Sequence, residues 1–429
     1  MPANALTLAA VLKDDYVLAI EDELNENIES WKDFDQRELK WEGANAIMAV
    51  RVGRNNSVGA RGSTTLAPAG NQVYLRLTIS AKKVYGSVQI DGPTLAAAAS
   101  EKGSFAVQFA TEMEGMVEDL RKKLSTYVFT GGPVIGFIWE KNAAQLNFGY
   151  NGRFDDIAVG AGEQLTFVRM DTYAVVAAEQ PVSISATTLV LNANINTFGV
   201  AAGVPIAVVV TGAQALLVDP VANVTTATGI AAAVSQEPEG FITNLCSVLH
   251  FGISRAAAGP AGSATLRSNF SMTAANAGPT GAALTIEDIS SLLAKIKTQS
   301  GKKPTAYWLS CVQLTSFITL LTGVTGSNLR RDIQDKPGKA DPGDTSFAWA
   351  NVPFKDSDVC PNGMVFFINT PSFSRATLKK GEWIASSFGD NPVQQVPGAD
   401  LARADYGIYY DLVCRQPNAN GVLTAVETA

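Results

Sequence analysis

Histidine is nearly absent: the 429 residues contain one, His250. That leaves little material for a histidine-based metal site, or for a nucleophile paired with a histidine base. The four cysteines, Cys246, Cys311, Cys360 and Cys414, share no spacing with a zinc site or a redox motif, so buried free thiols are expected. Charge is thin as well, at 17% of residues against 46% hydrophobic, which excludes disorder over the whole chain and suits a protein that hides much of its surface. No long uninterrupted apolar run occurs. The most apolar stretch, 200–218, is broken by Gly203, Pro205 and Gly212 and reads as buried strands, so no transmembrane segment or membrane partner is expected. No basic-plus-apolar leader follows Met1, and cytoplasmic synthesis is the expectation.

Catalytic signatures are missing too. There is no phosphate-binding loop, dinucleotide glycine pattern, Gly-x-Ser-x-Gly elbow, zincin pair or EF-hand loop. Gly131-Gly132 follows a helical pattern where a phosphate loop would precede one, so it reads as a helix stop. Asp335, Asp341 and Asp344 could form a weak calcium loop, but a solvated turn needs the same residues. The expectation is therefore no catalytic residue, no cofactor and no metal. A net charge of −7 argues against a chain that grips nucleic acid along its length or reads its sequence.

What is present has a clear order. Residues 14–42 carry eleven acids, Glu21, Glu26 and Asp33 among them, against Lys32, Arg37 and Lys40, a net −8. Tyr16, Ile20, Leu24, Ile28 and Trp31 recur there at helical spacing, which predicts an amphipathic helix. Over 43–91 the balance reverses to +5, from Arg51, Arg54, Arg61, Arg76, Lys82 and Lys83 against Asp91. Apolar residues at 47–52 and alternating Val73, Leu75, Leu77 and Ile79 flank a glycine-rich centre at 53–70, the pattern of a long two-stranded excursion. Such a hairpin has little core of its own and should lean on a neighbour.

Residues 104–129 predict the longest helix: Phe105, Phe109, Met113, Met116, Leu120, Leu124 and Tyr127 form one stripe, Ser104 is the N-cap, and Gly131-Gly132-Pro133 ends it. Between 133 and about 241, Val, Thr, Ala and Ile dominate, and from 172 to 236 only Glu179 and Asp219 are charged. Short strands such as 182–191 and 204–210 suggest an inserted all-β unit. Thr285 with Asp288 opens a helix ending near Gly301, a strand follows at 305–309, and Ser310 with Gln313 caps a helix running to Gly323. A charged loop rich in proline and glycine spans 332–345, and apolar runs at 365–368, 383–384 and 406–413 read as strands closing a sheet.

This order resembles the major capsid proteins of tailed bacteriophages, the Hong Kong 97-type fold. The residues that carry the resemblance are 54–61 (RNNSVGAR), 66–72 (LAPAGNQ), 85–90 (YGSVQI) and 103–120 with its central EMEGM, and more loosely 285–323 and 352–422, including Pro361-Asn362-Gly363. The resemblance implies an α+β chain divided into an N-terminal arm (1–43), an extended loop (44–92), a peripheral domain with its spine helix (93–132), an inserted β subdomain (133–240), an axial domain (241–353), and peripheral-domain strands with a return to the axial domain (354–429). It further implies self-assembly as pentamers and hexamers into an icosahedral shell around double-stranded DNA. The same resemblance implies a separate scaffold protein, a portal and a cement or decoration protein as partners. The expected location is the virion capsid, assembled in the cytoplasm of a bacterial host.

Opposite charges in adjacent segments make Arg51, Arg54, Arg61, Lys82, Lys83, Glu21, Glu26 and Asp33 the candidate inter-subunit contacts. Some relatives weld their shells by an isopeptide bond from an extended-loop lysine, but residues 41–81 contain no lysine, so non-covalent contacts are expected. Two other readings stay open at this point: an encapsulin-type compartment sharing the fold, and an enzyme or binding protein of mixed α/β architecture with a β insert.

Overall fold

The structure, a computed structural model, describes residues 34, 36–37, 41–43, 45–53, 57, 70–91, 115–116, 119–120, 122–131, 134, 136–138, 145–147, 165–169, 175–179, 181–184, 188–191, 206–210, 245, 249, 268–272, 283–325, 348–357, 359–384, 393–395, 398, 400–424 and 426. Strands β1 (Gln36–Arg37), β2 (Trp41–Glu42), β3 (Asn45–Gly53), β4 (Val73–Ser80) and β5 (Lys82–Asp91) come first. Helix α1 follows, its described residues lying between 115 and 130. Seven short strands come next: β6 (Gly136–Ile138), β7 (Gln145–Asn147), β8 (Leu165–Arg169), β9 (Val175–Glu179), β10 (Pro181–Ile184), β11 (Thr188–Leu191) and β12 (Ile206–Val210). The remainder alternates: β13 (Asn269–Met272), α2 (Ile286–Ser300), β14 (Ala306–Ser310), α3 (Cys311–Thr325), β15 (Ala348–Trp349), β16 (Val352–Ser357), β17 (Met364–Ile368), β18 (Phe373–Trp383), β19 (Val393–Gln395), β20 (Leu401–Cys414) and β21 (Gly421–Thr424).

Two larger sheets organise these elements. In one, the long β20 pairs antiparallel with β5 along one edge and with β18 and then β19 along the other, while β1 adds in parallel outside β18. The other has the order β13-β21-β17-β14-β16-β15, with β14 parallel to β16 and antiparallel to β17. β14 and β17 are buried at every position, which is why AYWLS and MVFFI read as continuous apolar runs with no polar face.

Side-chain alternation along those strands divides the core in two. Ala306, Trp308, Met364, Phe366 and Ile368 face a cluster shared with Leu120, Leu124, Val128 and Phe129 of α1. The same cluster takes in Val84 and Val88 of β5 and the even-numbered residues of β20 from Ala404 to Cys414. Helix α1 therefore lies between the two sheets and belongs to both. Gly86 lets α1 come close to β5, since a Cβ there would stand 3.0 Å from the Met116 sulfur. On the far face of the six-stranded sheet, Tyr307, Leu309, Val365, Phe367 and Leu423 pack with Leu292 and Ile296 of α2 and with Phe317 of α3.

The helix ends follow the expected chemistry. Asp288 N–H donates to the Thr285 hydroxyl at 3.2 Å and Thr285 N–H donates to the Asp288 carboxylate at 3.3 Å, a complete capping box. Gly301 closes α2 at φ 70°, its N–H donating to Lys297 O at 2.8 Å. Gly131, at φ 80°, ends α1 with its N–H donating to Tyr127 O at 3.1 Å. Ser310 accepts from Gln313 N–H at 3.4 Å as α3 begins, and α3 runs two residues past Gly323, to Thr325. The Ser104 end of the first helix lies outside the described residues.

Several expectations change. The acidic segment's predicted helix at 14–33 lies outside the described residues, but its continuation to Glu42 is not helical, because Gln36–Arg37 and Trp41–Glu42 are drawn into strands by the edges of β18 and β3. The runs at 365–368, 383–384 and 406–413 do not close one sheet. β17 belongs to the six-stranded sheet, whereas β18 and β20 belong to the other. The stretch 182–191 is two strands, β10 and β11, paired as a hairpin. Between α1 and β13 the described strands form two small antiparallel sheets, ordered β6-β12-β8-β9 and β10-β11-β7. Of the cysteines, Cys360 and Cys414 are buried free thiols as expected, but Cys311 is exposed, because the first turn of α3 presents it outward. Cys246, His250 and the three aspartates of the charged loop lie outside the described residues.

Candidate assembly surface

Strands β3 and β4 pair from Asn45↔Ser80 to Gly53↔Val73, and among the described residues their base is packed against the rest of the protein. There Ala46 and Ile79 pack with Ala376 of β18 and Val413 of β20, with Trp41 and Met48 against them. Trp41 Nε1–H donates to Thr377 O at 3.2 Å, fixing the turn of chain, with Gly43 at φ 67°, that leads into β3. Ile47, between Ala46 and Met48 on the opposite face of the base, is 37% exposed; farther along the hairpin Tyr74 is 57% exposed and Arg51, opposite it, is exposed. Tyr74 donates its hydroxyl proton to Gln72 Oε1 at 2.6 Å.

The arm enters this region through a second fixed point. Phe34 is 1% exposed and meets Phe373 edge-on, ring centroids 5.4 Å apart. Arg375 Nε–H donates to Phe34 O at 3.0 Å, and β1 continues the contact by pairing Gln36 with Arg375 and Arg37 with Ala376. Arg375 lies 341 residues from Phe34 in sequence, so no local pattern could have shown this contact.

The predicted contact residues separate. Arg51 is exposed on the hairpin, where a neighbour could meet it, and Lys83 is half-buried on the outward side of β5. Lys82 is 1% exposed. Lys82 shares its strand face with Val84, Gly86 and Val88, the face turned toward α1, so its side chain is enclosed by its own protomer and leaves the set of surface contacts. That signal was present in the sequence as period-two alternation. Arg54, Arg61, Glu21, Glu26 and Asp33 lie outside the described residues.

Sequence reading missed an aromatic patch on the outward face of β5 and β20. Tyr85, 52% exposed, meets Tyr409 edge-on at 6.0 Å, and Lys379 Nζ stands 5.7 Å from the Tyr409 ring centroid. Leu378, 42% exposed, lies on the neighbouring strand, and Lys379 pairs with Glu382 at 2.5 Å. The hairpin base covers the Val413 end of this face and leaves the Tyr85–Tyr409 end open. Among the described residues no group of three or more His, Cys, Asp or Glu gathers as a metal site, and no helix is long and apolar enough to cross a membrane. The shifted ionisations belong to the interior: burial raises Tyr307 to about 12, Cys414 to about 12, and Cys360 and Tyr410 well above their ordinary values.

No family model matches the chain, and no curated protein does. Among solved structures, the chain is similar to a cyanophage A-1(L) capsid asymmetric unit, at 12% identity and TM-score 0.48, covering 93% of each chain. It is also similar to an encapsulin from Synechococcus elongatus PCC 7942, at 9% identity and TM-score 0.42, covering 94% of this chain and 89% of that one. A third is the procapsid of satellite phage P4, at 8% identity and TM-score 0.40, covering 96% and 91%. All three TM-scores lie below 0.5, so the functional reading rests on the chain's own elements.

Proposed function

We propose that this chain is a major capsid protein of a tailed phage, a shell subunit whose function lies in contacts with copies of itself. The observation that carries this reading is the β3–β4 hairpin, whose base packs on β18 and β20 and which, among the described residues, carries exposed Tyr74 and Arg51 beyond that base and exposed Ile47 on its outer face. A two-stranded ribbon is marginally stable by itself, and a neighbouring subunit is the natural support for the rest of its length. The acidic arm and the basic loop add complementary charge, −8 over 14–42 against +5 over 43–91. Several modest interfaces per subunit then close a shell by avidity, without the lysine crosslink that residues 41–81 cannot supply.

In this reading the arm is 1–43, the extended loop 44–92, the spine-helix region 93–132, the inserted β subdomain 133–240 and the axial domain 241–353, with 354–429 returning through the peripheral strands. Pentamers and hexamers build an icosahedral shell around double-stranded DNA, in the virion, assembled in the host cytoplasm with a separate scaffold, a portal and a cement protein. The net charge of −7 suits a container whose wall does not hold its DNA. The test is charge reversal: Arg51→Glu, Arg54→Glu and Arg61→Glu together should block assembly while leaving the subunit folded by circular dichroism. Normal shells from that variant would refute the charge pairing.

A further inference from the structure

The end of β14 is a crowded junction. β14 has β16 on one side, with Ser310 opposite Ser357, and β17 on the other, so the chain must cross the end of β14 between Ser357 and Met364. That same end is where α3 departs, and its first residue is Cys311. Cys360 sits within the crossing, its N–H donating to Ser357 O at 3.3 Å. Gln313, in the first turn of α3 and 2% exposed, binds the other end of the crossing. Its amide nitrogen donates to Met364 O at 3.2 Å and its amide oxygen accepts from Gly363 N–H. The first turn of α3 is thus held by the segment that carries Cys360.

We propose that Cys311 and Cys360 are an oxidation site: a pair of thiols that closes to an intrachain disulfide tying the start of α3 to the β16–β17 crossing. Paired strands lie ~4.8 Å apart, so Cys311, one residue past Ser310, and Cys360, bonded back to Ser357, stand at the same end of β14, and the bridge would set their Cα atoms roughly 4.4–6.8 Å apart. The two thiols have different roles. Cys311 is exposed and can meet an oxidant; Cys360 is fully buried in the cluster that includes Trp308 and Met364. Burial raises the Cys360 thiol well above its ordinary value, and the nearby Cys311 raises it further, so the two sulfurs sense one another.

The chemistry balances with a small-molecule disulfide such as oxidised glutathione. The Cys311 thiolate attacks one of its sulfurs and expels a thiolate, leaving a mixed disulfide on Cys311. Cys360 then gives up its proton and attacks the Cys311 sulfur, expelling the second small thiol. The protein loses two electrons and two protons, which leave on the two released thiols. Because Cys360 is enclosed, the second step waits on local opening of the crossing and is the slower one.

The experiment treats the purified full-length protein with oxidised glutathione and maps peptides without reduction. The expected product is a peptide joining Cys311 to Cys360, with a raised thermal midpoint that dithiothreitol reverses, since the bond closes a long loop in the unfolded chain. Cys311→Ser, at an exposed position, should keep the fold and lose both the linked peptide and the rise. Glutathione retained on Cys311 with Cys360 still free after prolonged incubation would overturn the proposal, as would a bond formed only between chains. The pairing stands or falls apart from the shell reading, because it is read on the single subunit.

Discussion

Replacing Phe129 by alanine tests whether α1 joins the two sheets. Phe129 is 0% exposed in the last turn of α1, edge-on to Trp308 of β14 at 6.2 Å between centroids and tilted against Phe366 of β17 at 5.7 Å. Removing a buried phenylalanine ring costs roughly 3–5 kcal/mol, lost transfer energy plus the cavity left behind. That is a large share of the ~5–15 kcal/mol that holds a folded domain together. The assay is urea unfolding of the unassembled subunit followed by tryptophan fluorescence, with Trp308 reporting from beside the site. At about 3 kcal/mol/M the midpoint should fall by more than about 1 M. Lys123→Ala, an exposed position on the same helix, is the control and should stay within about 0.5 kcal/mol of the parent. A Phe129→Ala midpoint within about 0.3 M of that control would refute the account of α1 as the shared core element.

Two further predictions concern the interior. Lys82→Ala should lower the unfolding midpoint through the cavity its enclosed stem leaves, whereas Lys83→Ala should leave it nearer the parent; equal effects would contradict the burial of Lys82. Stability should also fall in alkali. Tyr307 and Cys414 are held neutral in the fold up to about 12, while their unfolded counterparts ionise near 10.0 and 9.0, so their contribution is full below about pH 9 and is lost as pH rises toward 12. Urea midpoints measured from pH 8 to 11 should be flat at first and then decline, and Tyr307→Phe should soften the decline; a flat profile to pH 11 would contradict it.

Elements whose signals are local were legible in the sequence. The capping box at Thr285, the glycine stops at Gly131 and Gly301, and the β3–β4 hairpin rest on contacts between near neighbours in the chain. What was not legible depends on distant partners. Gln36–Arg37 and Trp41–Glu42 leave the helical pattern because strand edges reach them, one of them more than 300 residues away in sequence. MVFFI and the apolar run of β20 both read as strands, but MVFFI is buried on both faces and has no alternation to say which sheet it joins. Of the candidate contacts, Arg51 stands on the hairpin as expected, and Lys82 turns inward. The arm's attachment at Arg375 and the Tyr85–Tyr409 patch emerge only from the folded chain.

Electron microscopy of the purified chain, alone and co-expressed with a scaffold protein, tests the central claim most directly. The account predicts closed icosahedral shells, or pentamers and hexamers; a strictly monomeric protein under every condition would contradict it.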